Sequence, residues 1–127
     1  MLLNTDYRLA VPEATFALEE VSLGLFPRGN TTEILGRQIP WVYAVELALS
    51  AVPYWTAERA LKAGLLNEIV EPESLLARAE EVARRLASFE PELVRSVLFR
   101  MRDSVFGPDL EQRVASSHKI ADKLARN

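Results

Sequence analysis

The sequence predicts an α/β fold that becomes wholly helical toward its C-terminus. Two observations carry this. Short β-like segments recur up to about residue 71, interleaved with helical stretches. Beyond it, Pro72-Glu73, Pro91-Glu92 and Pro108-Asp109 each open a run with helical apolar spacing. The division read from this is a mixed α/β core over residues 1–71 and a helical region over residues 72–127, within the 127 residues that suit a single domain.

The first segment, "DYRLAVPEATFAL", opens with a strand in which Tyr7, Leu9 and Val11 alternate with Arg8 and Ala10, a half-buried pattern. Pro12-Glu13 breaks it, and Thr15 to Leu18 reads as a second short strand. Gly24 and Pro27 mark a loop. Asn30 is placed to cap a helix over Thr31 to Arg37, with Glu33 three residues on as in a capping box. Pro40 opens the next helix, which is apolar on most sides and expected to be largely buried, Glu46 being the main exception. A short helix follows, with Thr56 as cap and Gly64 as stop, and then "LLNEIV" as a strand.

The helices after Pro72 are amphipathic. The first sets Leu75, Ala79, Val82 and Leu86 on one stripe, with Glu80–Arg84 and Glu81–Arg85 paired four apart. The second carries Leu93/Val94, Val97/Leu98, Met101 and Val105. The third carries Leu110, Val114, Ala121 and Leu124, interrupted by Ser117.

Composition excludes several classes of function. A net charge of −3 gives no basic footprint for nucleic acid. The chain has no cysteine and one histidine, His118, so cysteine-ligated zinc is ruled out and most other metal sites are disfavoured. Met1-Leu2-Leu3 runs straight into Asn4, Thr5 and Asp6, too short for a signal peptide or a membrane span. A soluble, cytoplasmic protein is expected.

The adjacent acids Glu19 and Glu20 raise the one sharp chemical question. Neighbouring carboxylates are usually solvated. On a strand their side chains point to opposite faces, so only one of them would meet a site.

The stretch "ATFALEEVSLGLFPRG…RQIPWVYAVELALSA…TAERALKAGLLNEIV" resembles the enoyl-CoA hydratase/isomerase (crotonase) family, specifically its second, C-terminal half. The resemblance runs from about Asp6 to Ala87, and more loosely through the last two helices. It implies a crotonase-like spiral segment followed by a C-terminal helical region of the kind that commonly packs on another subunit. Phe16 and Gly24 match the family's Phe and Gly, which makes Glu20 the matched catalytic acid and puts Glu19 at a position usually held by proline. Gly24, Phe26 and Pro27 would border the substrate. The implied substrate is an acyl-CoA thioester, undergoing hydration or a double-bond shift in fatty-acid or related metabolism. CoA would be part of that substrate, and no separate cofactor or metal is implied.

The same resemblance implies that the oxyanion donors, and the second glutamate that hydratases use, lie N-terminal to the matched region. The isolated chain is therefore expected to be inactive. An alternative reading follows: a truncated, non-catalytic oligomerisation or scaffold fragment of such an enzyme. A homo-oligomer is expected in either case.

Other candidates have plainer readings. Trp41 and Trp55 could line an acyl pocket, but core packing suits their apolar segments better. Arg28 could reach an acidic group on the ligand, and filling the pocket mouth is preferred. Arg95, Arg100 and Arg102 could meet CoA phosphates, and a solvated face is preferred. His118, among Ser116, Ser117 and Lys119, reads as a solvated face.

Overall fold

A computed structural model describes residues 2–49, 54–107 and 109–124. Among the described residues, four strands of two residues each are formed: β1 (Leu9–Ala10), β2 (Thr15–Phe16), β3 (Trp55–Thr56) and β4 (Glu68–Ile69). β1 and β4 pair in parallel, Leu9 opposite Glu68 and Ala10 opposite Ile69. β2 and β3 pair antiparallel, Thr15 opposite Thr56 and Phe16 opposite Trp55. The described residues also form six α-helices: α1 (Thr31–Gln38), α2 (Trp41–Leu49), α3 (Ala57–Lys62), α4 (Leu75–Ala87), α5 (Pro91–Phe106) and α6 (Leu110–Leu124).

The core gathers Ala10, Leu35, Ile39, Ala44, Leu47 and Trp55 with the small face of α3, Ala57 and Ala60, and with Leu65 and Leu66 beyond it. Small residues let α3 approach the strands closely. Its start is as the sequence foretold: the Thr56 hydroxyl accepts from the Arg59 amide at 3.3 Å. Gly64 follows with a positive φ of 79°, which favours glycine at a helix end.

β1 inverts the expected phase. Arg8 and Ala10 are buried, Tyr7 is exposed, and Leu9 and Val11 are half-buried. Arg8 can face inward because four of its five guanidinium N–H groups find oxygen. It donates to the Leu65 carbonyl at 3.1 Å, to the Thr5 carbonyl at 2.9 and 3.2 Å, and to Gln38 Oε1 at 2.7 Å. Burial lowers its pKa by stripping water from the guanidinium.

The capping box at α1 is not formed. Asn30 does occupy the cap position, but in the left-handed region (φ 68°) and without a side-chain cap bond. Glu33 instead accepts from the Ser117 hydroxyl on α6. That long-range contact takes the carboxylate the box would have used.

α2 is not largely buried. Only Ala44 and Leu47 are covered, while Trp41 is 72% exposed and Val42 and Leu49 also face out. The helix packs on α1, on the turn at residues 21–23 and, through Tyr43 and Glu46, on Trp55 and Arg59, and these contacts leave Trp41, Val42 and Leu49 exposed. Trp55 is buried as expected, edge-on to Tyr43 with ring centroids 6.0 Å apart. Trp41 does not share that role.

Pro72 opens a single 3₁₀ turn (Pro72–Ser74) that leads into α4, and Pro91 is the first residue of α5. Pro108 lies outside the described residues. Glu80 and Arg84 pair at 2.5 Å, whereas Glu81 takes Arg78 at 2.8 Å rather than Arg85. The stripe on α4 is half-buried at Leu75, Ala79 and Val82, with Leu86 exposed.

Candidate active site

Glu19 and Glu20 do not lie on a strand. β2 ends at Phe16, and Glu20 heads a 3₁₀ turn over Val21–Leu23 with helical torsions, φ −54° and ψ −46°. The two acids therefore lead into a turn, and strand alternation does not set their side chains apart. The turn is closed from several sides. The Leu23 amide donates to the carbonyls of Glu19 (3.2 Å) and Glu20 (3.1 Å), and the Leu25 amide donates to Glu20 at 2.7 Å. The Ser22 hydroxyl adds a bond to the Glu19 carbonyl at 2.7 Å. Gly24 ends the turn with φ 72°, a left-handed conformation that a glycine takes without strain.

The side chains differ in their engagements. The Glu19 carboxylate accepts from the Tyr54 phenol, and that bond to a carboxylate raises the phenol's pKa. Glu20 is half-buried, and its carboxylate has no hydrogen-bond or ion-pair partner among the described residues. Of the remaining expected site residues, Gly24 is exposed, Phe26 half-buried and Pro27 buried. Glu20, Gly24, Phe26 and Pro27 thus lie along one ordered loop.

The far end of that loop is anchored too. Arg28 pairs with Asp122 of α6 at 2.8 Å, and the Thr31 hydroxyl donates to the Arg28 carbonyl at 2.8 Å. Arg28 is spent on this tie to α6. Tyr54 and Asp122 were invisible to sequence reasoning, because they stand 35 and 94 residues from their partners with no local pattern to link them.

β3, which carries Tyr54 at its edge, is itself buttressed. Glu46 of α2 accepts from Trp55 Nε1 at 2.9 Å and pairs with Arg59 at 2.5 Å. The Arg59 guanidinium sits 4.7 Å from the Tyr43 ring centre and 5.6 Å from that of Trp55. Arg59 holds the Glu46 carboxyl below the usual carboxylate range, and Trp55 assists.

A cleft of about 570 Å³ opens elsewhere, between the N-terminal turn, α1, α5 and α6. Asp6, Gln38, Phe99 and Arg102 are among its walls, and Glu20 is not. Two members of the arginine cluster are engaged with acids: Arg102 with Asp6 at 2.8 Å, and Arg95 with Glu92 at 3.7 Å. His118 is exposed. Among the described residues, no group of three or more histidine or acidic side chains is placed to hold a metal, and no helix is long and apolar enough to cross a membrane.

Comparison with known proteins places this geometry in context. Residues 1–126 match the family described as enoyl-CoA hydratase/isomerase. An enoyl-CoA hydratase of Mycobacterium tuberculosis is 32% identical over 111 residues, covering 87% of this chain and 41% of that protein. A benzylidenesuccinyl-CoA hydratase of Thauera aromatica is 34% identical over 120 residues, covering 93% of this chain and 45% of that protein. The crystal structure of a carnitinyl-CoA hydratase from Mycobacterium avium superposes with a TM-score of 0.88 at 26% identity, over 99% of this chain and 49% of that one.

The chain thus spans less than half the length of these relatives, and the expected α/β, crotonase-like fold with helices dominant is the one it shares with them. The matches do not support the expectation that the shared part is specifically the family's C-terminal half.

Proposed function

The chain belongs to the enoyl-CoA hydratase/isomerase family, and from that premise we propose that Glu20 serves as the acid/base group for chemistry on an acyl-CoA thioester. Hydration of an α,β-unsaturated thioester needs a base to activate water and an acid to protonate the α-carbon. A double-bond shift needs one proton moved between carbons. A half-buried carboxylate serves either step. CoA arrives as part of the substrate, so no separate cofactor is required.

The observation that carries this reading is the contrast between the two neighbouring acids. Glu19 is tied to Tyr54, whereas Glu20 stands on a closed turn with no partner for its carboxylate among the described residues. A proton carrier has to be held in place and left unpaired, and Glu20 meets both conditions. The relatives' names support the substrate class, since hydratases of enoyl-CoA and benzylidenesuccinyl-CoA both act on CoA thioesters.

The test is a chimera in which this chain replaces the matching part of an enoyl-CoA hydratase of the family. Turnover of a short enoyl-CoA is compared between Glu20 and Glu20→Gln. The substitution is expected to lower kcat by about 10²–10⁴, the usual contribution of an acid/base group. Near-normal turnover would remove Glu20 from the role.

A second reading is a non-catalytic oligomerisation module of the same descent, built on the helices beyond residue 72. It is favoured by a separate observation: α4 and α5 have no buried residue. The same chimera distinguishes the two readings, because a scaffold module restores no Glu20-dependent turnover.

A further inference from the structure

We propose that Tyr54 is a positioning residue for Glu20, acting through Glu19; the inference rests on the acid/base reading above. The Tyr54 phenol donates to the Glu19 carboxylate, bridging from the start of β3 to the residue just before Glu20. Both ends of this bridge have fixed footings. β3 is held by its pairing with β2, Phe16 opposite Trp55, and by the burial of Trp55, whose indole N–H is taken by Glu46. On the other side, Glu19 and Glu20 supply the carbonyls that close the turn, accepting from the Leu23 and Leu25 amides.

Between Phe16 and Glu19 the chain has no ladder bond to hold it, because β2 ends at Phe16. The phenol–carboxylate bond is therefore the polar contact that registers the Glu20 turn against β3, beside the packing of that turn on α2 and of Leu18 on the core. It also occupies the adjacent acid, so that of the two carboxylates only Glu20 is left unpaired among the described residues. Tyr54 touches no reacting atom in this scheme. It sets where the Glu20 backbone sits and which of the two acids is available.

The experiment is residue-resolved amide hydrogen exchange on the intact chain and on Tyr54→Phe, Glu19→Ala, Glu19→Gln and Glu20→Gln. The reporters are the Leu23 and Leu25 amides, which bond to the Glu19 and Glu20 carbonyls. The controls are the Asn67 and Val70 amides, which bond to Arg8 and Ala10 at 2.9 Å each across the other sheet.

Tyr54→Phe and Glu19→Ala are expected to speed exchange at Leu23 and Leu25 by about three- to tenfold, the factor matching one hydrogen bond of ordinary net strength. The controls are expected to stay unchanged. Glu19→Gln keeps an oxygen that accepts from the phenol and is expected to exchange like the parent. Unchanged reporters in Tyr54→Phe would overturn the proposal. So would acceleration spread equally over reporters and controls, since that is general loosening of the fold.

Glu20→Gln leaves the bridge intact and is expected to leave the reporters at the parent rate. A failure of the acid/base reading, seen as full turnover by the Glu20→Gln chimera, is thus separable from a failure of the bridge.

Discussion

Arg8 donates to Gln38 Oε1 across 2.7 Å, and Gln38 in turn donates its amide to the Leu3 carbonyl at 2.8 Å. A buried cation just before β1 is thereby linked through α1 to the N-terminal turn. Three other guanidinium N–H groups take the Thr5 and Leu65 carbonyls. One side chain, 8% exposed, holds four parts of the chain together.

Arg8→Met keeps the stem and removes the donors, leaving oxygens of Thr5, Leu65 and Gln38 without them. A buried acceptor stranded in this way costs about 1–3 kcal/mol. The expected loss of stability is at least about 2 kcal/mol, read from urea unfolding. Arg8→Lys should recover only part of it, because an ammonium cannot reach in the several directions of the fork. An unchanged urea midpoint for Arg8→Met would show that the network holds nothing.

Glu68 on β4 gives a pH signature. Arg78 binds its carboxylate at two points, 2.7 and 2.9 Å, the Tyr7 phenol also donates to it, and together they lower its pKa from 4.5 to about 2. A folded-state value below the ordinary one means stability that is fully present above about 4.5 and lost as pH falls from there toward about 2. Tyr7 runs the other way, because donating to Glu68 raises its pKa above 10.0. Its contribution is complete below pH 10.0 and is lost as pH rises through the higher folded value. In Glu68→Gln the acid-side slope of the urea midpoint between pH 4.5 and about 2 should flatten. An unaltered slope would place the acid sensitivity elsewhere.

The places where the sequence could be read, and where it could not, follow from how local each cause is. The Thr56 cap, the Gly64 stop and the Pro91 start depend on a few neighbouring residues, and each stands where the pattern put it. The phase of β1 was not legible. Arg8 faces inward only because Leu65, Thr5 and Gln38 meet it, and two of these three lie 30 or more residues away. Asn30 and Glu33 read as a capping box, until Ser117, 84 residues on, supplies a competing donor to Glu33. At the candidate site, the choice of Glu20 over Glu19 came from the family resemblance. The contrast between a tied acid and a free one depends on Tyr54, which no local pattern announces.

The helices beyond residue 72 are expected to drive self-association. The accessible surface is 8900 Å², against roughly 6,800 Å² for a compact monomer of this mass. The excess is larger than the roughly 800 Å² per partner that a standard interface buries. Exposed apolar side chains on α5 include Leu93, Val97, Phe99 and Met101. Sedimentation velocity at micromolar concentration should show a species larger than 14.3 kDa. The double variant Val97→Glu, Met101→Glu should shift it toward monomer. A parent chain that sediments as a clean monomer would contradict the expectation.

The 127-residue chain assayed alone is expected to show no significant hydratase turnover. Glu20 can accept a proton, but the enolate that results needs preorganised donors at its oxygen. Losing even one such donor costs about 10²–10³ in rate. The resemblance implies that these donors lie outside the matched region, and the hydratases named above are more than twice as long as the part this chain spans, 41% and 45% of their length. The purified chain is therefore to be mixed with a short enoyl-CoA while the conjugated thioester absorbance is followed. A rate equal to the buffer rate is expected for the parent and for Glu20→Gln alike. Robust turnover that Glu20→Gln abolishes would refute the expectation. It would mean that backbone amides of this chain hold the enolate oxygen, with the Gly29–Thr31 loop, where Gly29 and Asn30 both adopt positive φ, as the first place to look.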